Sequence, residues 1–313
     1  NQIRAPGQWQ GIDLNGATAE ATVLKGILVE YAVDGVDWTT CSVPLESSEI
    51  RYCSDQGLQI SDDTSNPTIT DVETHDNVTD GLYVYEGNPT LVDIVSHGNS
   101  RHGIYYSTNA YGTATDCEFR NNASHGIYMT ASSGPTIDQC LIAENGSWGV
   151  RTDVGCDPLF RDSTISDNSG YGLRFNEPYS GTWSYPRMER CTVERNTGYG
   201  VSYRRAIRTD AYIRECTIRD NGGGGIHLEY DCDPRITSNI ITGNASHGIY
   251  TNSYYSDPTI ERNIVAYNGT DGINRTGHPG SPNILHNTIY GNTGNGIYLV
   301  SGGSGTETVQ HNI

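Results

Sequence analysis

Asn239-Ile240-Ile241-Thr242-Gly243-Asn244-Ala245-Ser246-His247-Gly248-Ile249 is followed 24 residues later by Asn263-Ile264-Val265-Ala266-Tyr267-Asn268-Gly269-Thr270-Asp271-Gly272-Ile273. Two asparagines, one inward-type aliphatic and a Gly-Ile pair keep their places while the residues between them change. A chain that returns to the same pattern every two dozen residues is a solenoid, one coil per repeat.

Working outward, a Gly followed by Ile, Leu or Val recurs thirteen times from Gly11 to Gly296, at spacings of 22 to 28 residues. Four residues before it stands an Asn in ten consecutive repeats, from Asn77 to Asn292. This column predicts an Asn ladder, because the amide can bond its copy in the neighbouring coil and Asn tolerates left-handed backbone. Nine residues before the Gly a second column reads Cys117, Cys140, Ser163, Cys191, Cys216, Asn239, Asn263 and Asn287, so those thiols are expected to line an inner turn. Each repeat holds three short apolar runs, such as Pro135-Thr136-Ile137, Leu141-Ile142 and Gly149-Val150, and no helical segment. The expected fold is therefore all-β: a right-handed parallel β-helix of about thirteen coils with three short strands per coil, one domain over 1–313, roughly 58 Å long at about 4.8 Å per coil. Cys156 and Cys232 share a register three coils apart and are too distant to bridge, whereas Cys41 with Cys53 stays open. The chain begins and ends in mid-repeat, with Asn312-Ile313 in the register of Asn287-Thr288, and reads as part of a longer protein with flanking domains.

The formal charge is −18, and Lys25 is the single lysine. An acidic surface excludes nucleic acid as a natural partner. No run of 18 apolar residues is present, so no membrane-inserted helix is expected, and the composition suits an extracellular or cell-surface protein. Twelve of the nineteen basic residues fall between 151 and 235 against thirteen acids there, giving that segment −1 and the rest −17. One stretch is thus relatively electropositive.

The unit Asn-x-Ile-x-x-Asn-x-x-x-Gly-Ile resembles the parallel β-helix repeat family, which includes pectate lyase-like enzymes, mannuronan C5-epimerases, copper-accessory proteins and phage tailspikes. The resemblance covers essentially the whole chain and specifies fold rather than activity. Mannuronan epimerases carry Tyr-Gly-Phe-Asp-Pro-His on one coil, an Asp four residues after the Gly on the next, and Arg-His-Gly on the third. By that resemblance Tyr199, Glu229 and His247 take three of these places, while Ser202 and Arg204 stand where the family has Asp and His. Asn99-Ser100-Arg101-His102-Gly103 also matches the third element, with Gln56, Gln59 and Tyr85 at the earlier positions.

On the strand after each Gly, the second and fourth residues should face solvent. In the middle coils these are Arg151/Asp153, Arg174/Asn176, Ser202/Arg204, His227/Glu229 and Tyr250/Asn252, and the 28-residue repeat inserts Glu177 through Pro186 with Tyr179, Trp183 and Tyr185 beside them. Arginines there suit the carboxylates of a uronic-acid polymer, and a proton could then be removed next to the carboxylate. The candidate catalytic residues are Tyr199, Arg204, His227, Glu229 and His247. The candidate substrate-binding residues are Arg151, Asp153, Tyr171, Arg174, Asn176, Trp183, Arg205 and Tyr250. Against this stand plainer readings: alternating charges solvate any exposed sheet, Tyr83, Tyr105 and Tyr128 form either a sugar platform or a sheet-stabilising ladder, and His102, His125 and His247 fit the repeat consensus. No cofactor is required. Asp153, Asp157, Asp231, Asp233 and Asp257 offer oxygens to Ca²⁺, but Asp-Pro is also ordinary turn chemistry. The leading expectation is an enzyme that binds an acidic polysaccharide and acts by proton abstraction, as lyase or epimerase. The alternatives are a non-catalytic adhesion rod, favoured by the scarcity of long loops, and a glycosidase using Asp153 with Glu229.

Overall fold

The computed structural model describes residues 5–16, 22–176, 183–205, 207–252, 256–276, 280–300 and 308–313. Every named element is a β-strand and the pairings are parallel, giving the right-handed parallel β-helix that the repeat predicts. The coils group into two compact units, Asn1–Ser147 and Trp148–Ile313.

In the first unit, Ile12, Val36, Leu58, Leu82, Ile104 and Ile127 are register partners in successive coils. Each is the residue after a repeat Gly. The second and third runs of the coil, expected as separate strands, are continuous in Leu45–Arg51, Thr68–His75 and Thr90–His97. They divide into Thr113–Thr115 and Glu118–Arg120 where small Cys117 replaces the inward aliphatics Val72 and Ile94 at the corner.

The second unit repeats the scheme with Val150, Leu173, Val201, Ile226, Ile249, Ile273 and Ile297 in register. Two further inward columns, Phe160-Met188-Ile213-Ile236-Ile260 and Ile165-Val193-Ile218-Ile241-Val265, complete its lumen, and all these side chains are at most 1% exposed. The repeat Gly is needed for space. A Cβ on Gly200 would lie 2.7 Å from Ile218 Cγ2 and 2.9 Å from Gly225 O, closer than side chains pack.

The Asn ladder runs within each unit. In the first, Nδ2 of Asn77, Asn99 and Asn122 donates to Oδ1 of the next Asn at 2.9, 3.0 and 3.2 Å. In the second, Asn168 through Asn268 do so at 2.9 to 3.1 Å. The left-handed residue is not the Asn, as its conformational tolerance had suggested, but the one before it: Asp167, Arg195, Asp220 and Tyr267 all have φ between 53 and 58°. That residue turns the chain so that the Asn amide points inward, where the bonds it makes offset the strain of about 1 kcal/mol or more.

The second column behaves as predicted: Cys191 N donates to Cys216 Sγ at 3.4 Å, and Asn239, Asn263 and Asn287 form a ladder of their own at 2.9 and 3.0 Å. All eight cysteines are buried free thiols, so Cys41 and Cys53 are not bridged. The Asp-Pro residues make turns. Asp157 Oδ1 accepts from Tyr185 N at 2.6 Å, Asp233 Oδ1 from Asp257 N at 2.7 Å, and Asp257 Oδ1 from Ser281 N.

Candidate functional site

The strand register in the second unit aligns Arg151, Arg174, Ser202, His227 and Tyr250 in one outer column, and Asp153, Asn176, Arg204 and Glu229 in another. A third column, the residues before each repeat Gly, contributes Trp148, Tyr171, Tyr199 and His247.

Glu229 is the centre. Its carboxylate lies 3.7 Å from Arg174 Nη2, 3.5 Å from Arg204 Nε and 3.4 Å from His227 Nδ1, and its side chain is 15% exposed. None of these approaches closes into a hydrogen bond: Arg204 Nε and His227 Nδ1 are buried polar atoms without one, as is Ser202 Oγ at the register position beside His227. Folded proteins leave few such atoms, and a concentration of them around a partly enclosed carboxylate marks a place built for something other than stability.

His227 is stacked between Tyr199, at 4.7 Å between ring centroids, and Tyr250, at 5.0 Å, and its Nε2 is 3.2 Å from Asn252 Oδ1. The second strand position was expected to face solvent. Instead His227 is 8% exposed and Ser202 not at all, because the neighbouring rings close over the histidine and the short serine sits between longer neighbours. Burial lowers the His227 pKa below the usual imidazole value; Glu229 and Asn252 pull the other way, while Arg174 and His247 add to the fall. Burial also raises the Tyr199 phenol, against a hydrogen bond from Ser246. The site therefore favours a neutral imidazole beside a neutral phenol.

Toward the other side of the column, Trp148 gathers the arginines. Arg151 and Arg174 lie over its ring at 5.2 and 5.4 Å, and Arg174 also lies 4.9 Å from the Tyr171 ring. Arg151 Nη2 pairs with Asp153 at 2.9 Å, and Asn176 Nδ2 donates to Asp153 Oδ1 at the same distance. Asp153 and Glu229 are three register steps apart, about 14 Å at the strand spacing, beyond the separation of roughly 6.5–9.5 Å that an inverting carboxylate pair needs.

Position explains His247 in part. Its Nδ1 accepts from Thr270 Oγ1 at 2.7 Å and Asp271 N at 3.3 Å, tying one coil to the next, and burial lowers its pKa despite Asp271. His102 Nδ1 does the same for His125 N at 3.2 Å in the first unit. The Tyr83, Tyr105 and Tyr128 rings also pack on one another, tilted at 5.1 Å for the first pair and stacked at 4.8 Å for the second. That is the geometry of a sheet-stabilising ladder.

Trp183 and Arg205 lie apart from this cluster, on the turn beyond the strand ends, where Arg208 lies over the Trp183 ring and Arg205 over the Tyr230 ring. Glu177 and Tyr179 lie outside the described residues. The electropositive segment needs correction as a guide to the site, because most of its arginines are on the other faces. Arg190 pairs with Asp162 at 2.7 Å, Arg195 with Asp167 at 2.8 Å, Arg214 with Glu189, and Arg219 with Glu194 at 2.5 Å. Only Arg151, Arg174 and Arg204 stand on the outer positions of this sheet. Trp148 was readable from its place in the column of Tyr171 and Tyr199. Asn252 lay among the outward pairs, but nothing in the repeat marked its contact with His227. Among the described residues no group of three or more His, Cys, Asp and Glu is arranged to hold a metal ion, and no helix is long and apolar enough to cross a membrane.

No curated protein matches the chain by sequence. Among solved structures, the A-module of a mannuronan C-5 epimerase of Azotobacter vinelandii aligns with a TM-score of 0.65 at 15% identity, over 97% of this chain and 90% of that one. A periplasmic alginate epimerase aligns at 0.61 and 14%, over 91% and 76%. Tailspike protein 3 of bacteriophage CBA120 aligns at 0.61 and 12%, over 92% and 49%. At these identities the likeness is one of fold. The family model described as the right handed beta helix region matches residues 87–206 and 184–313, most of the sequence, and the chain belongs to that family.

Proposed function

We propose that the second unit binds an acidic, uronate-containing polysaccharide and removes the proton next to a bound carboxylate, as a lyase or an epimerase acting outside the cell. The observation that carries this reading is the pair of buried, unbonded polar atoms Arg204 Nε and His227 Nδ1 around Glu229, with Ser202 Oγ unbonded on the strand position beside His227. Arg174 and Arg204 would pair with the substrate carboxylate, displacing their loose contacts with Glu229 and stabilising the charge that develops as the adjacent C–H is broken. With Nε2–H given to Asn252, Nδ1 is the basic nitrogen of the neutral His227 ring, and it sits beside Glu229, the other available base. Tyr199, held as a neutral phenol, would return a proton. Delivered to the oxygen leaving the β-carbon, that proton completes an elimination with a new carbon–carbon double bond; delivered to the α-carbon from the opposite face, it inverts the centre. Arg151, Tyr171, Asn176 and Tyr250 would line the flanking sugars, and His247 would position Tyr250, which it stacks against at 5.0 Å. Two of the structural neighbours, a mannuronan C-5 epimerase and an alginate epimerase, support this substrate class. No step requires a cofactor.

The test is to incubate the protein with a panel of polyuronates in heavy water. Deuterium fixed on carbon in the polymer reports epimerisation, whereas ultraviolet absorbance of unsaturated uronate, with deuterium delivered only to an exchangeable hydroxyl, reports elimination. Binding without either signal would leave a non-catalytic rod, the reading favoured by the arginine–carboxylate ladders that absorb most of the positive charge on other faces.

A further inference from the structure

The ring stack over the sheet cannot take a sugar face, since Tyr199, His227 and Tyr250 cover one another. Two other aromatic residues are differently placed. The isolated bridges Ser184 to Ile207 and Ile207 to Cys232 align three successive coils at the turn that follows the strands ending in Asn176, Arg204 and Glu229. Beside those bridges, Arg208 lies over the Trp183 ring at 3.2 Å and reaches Asp231 at 3.7 Å and Asp233 at 3.4 Å. Two residues before each bridge, Arg205 lies over the Tyr230 ring at 4.8 Å. Trp183 and Tyr230 are each 40% exposed, and among the described residues neither has an aromatic partner.

From this arrangement we infer that Trp183 and Tyr230 form a pyranose-stacking subsite at the strand ends, holding a sugar unit next to the one bound at Glu229; the inference rests on the polysaccharide reading above. A guanidinium lies over each ring, and the 40% of each residue left exposed offers apolar surface suited to the C–H face of a sugar. Arg208 is already matched by two carboxylates, which makes the subsite a reader of ring shape and leaves carboxylate recognition to Arg174 and Arg204.

The experiment is calorimetric titration with a uronate disaccharide and hexasaccharide, together with a neutral hexasaccharide. Trp183→Ala and Tyr230→Ala should each weaken hexasaccharide binding by about tenfold and leave the disaccharide unchanged, with Tyr230→Phe behaving as the parent protein. Arg174→Ala should weaken both uronates. Unchanged hexasaccharide affinity, equal losses at both lengths, or no binding by any of the three sugars overturns the subsite. If only the neutral hexasaccharide binds, still dependent on Trp183 and Tyr230, the subsite stands and the acidic-substrate reading falls.

Discussion

His227 lies nearly flat against Tyr199, 4.7 Å between centroids with 26° between ring planes. The contact joins consecutive coils, since Tyr199 precedes the strand Val201–Arg204 and His227 lies on Ile226–Glu229. It buries both rings and so acts on both pKa values in opposite directions, keeping one group a base and the other an acid at neutral pH.

The pair therefore predicts a separation of turnover from binding. His227→Gln and Tyr199→Phe should each lower kcat by about 100-fold or more on the substrate that shows either deuterium uptake or unsaturated product, with the dissociation constant changed little. A fall in affinity that matches the fall in kcat would make these residues part of the binding surface instead.

The same burial fixes the acid limb of the pH profile. Because the His227 pKa lies below its ordinary 6.5, the basic form persists to lower pH, and the rate should hold until the pH drops below 6.5. Stability follows with a definite sign: between the two pKa values the unfolded chain binds a proton that the native one refuses, so stability falls as pH falls through that window. An acid limb centred at or above 6.5 would exclude His227 as the titrating base.

Asp80, in the first unit, carries the opposite sign. Burial pushes its pKa from 3.8 up to about 6 despite Arg101 at 3.4 Å and the bond from His102 N at 3.0 Å. The native state holds this proton above the pH at which the unfolded chain loses it, so stability falls as pH rises from about 4 through 6. Asp80→Asn keeps an acceptor for His102 N and removes the titration. Urea unfolding of the variant at roughly pH 4 and pH 8 should show less loss on the alkaline side than the parent, by about 1–3 kcal/mol. Identical pH slopes would contradict the assignment.

The ladder is testable at Asn168. Asn168 is 1% exposed, and its amide bonds Asn196 at 2.9 Å, so Asn168→Ala should cost about 1–3 kcal/mol through the unpaired groups it leaves. An unchanged unfolding midpoint would show that the column contributes nothing.

What was legible in the sequence follows from what repeats. The columns of Gly, Asn and inward aliphatics recur because each coil packs on the next, so fold, lumen and register could be read from spacing alone. The left-handed position was misplaced by one residue, since Asp167, Arg195 and Tyr267 share no side-chain chemistry that would reveal it. The candidate site was legible only as a list of outward residues on the strands, and among them Arg174, Arg204 and His227 lie close to Glu229. Burial of His227 was hidden, because it depends on rings contributed by neighbouring coils. The charge count misled for a similar reason: it sums Arg190, Arg195, Arg214 and Arg219 with Arg174 and Arg204, although the first four are paired on different faces.

That division gives the sharpest prediction. Arg174 and Arg204 approach Glu229 only to 3.7 and 3.5 Å, whereas Arg190 meets Asp162 through two bonds at 2.7 and 2.8 Å. A bound polyuronate would gain charge-assisted hydrogen bonds from the first two and nothing from the third. Arg174→Ala and Arg204→Ala should each weaken polyuronate binding by about 1.5–3 kcal/mol, and added salt should weaken binding to the parent protein further. Arg190→Ala, within the same electropositive segment, and Arg120→Ala, paired with Glu118 at 2.8 Å in the first unit, should change it by less than about 0.5 kcal/mol. Because Arg190 shares the segment's net charge but not the sheet position, equal losses from Arg190 and Arg174 would mean that diffuse charge drives binding. Losses confined to Arg174 and Arg204 would place the carboxylate beside Glu229.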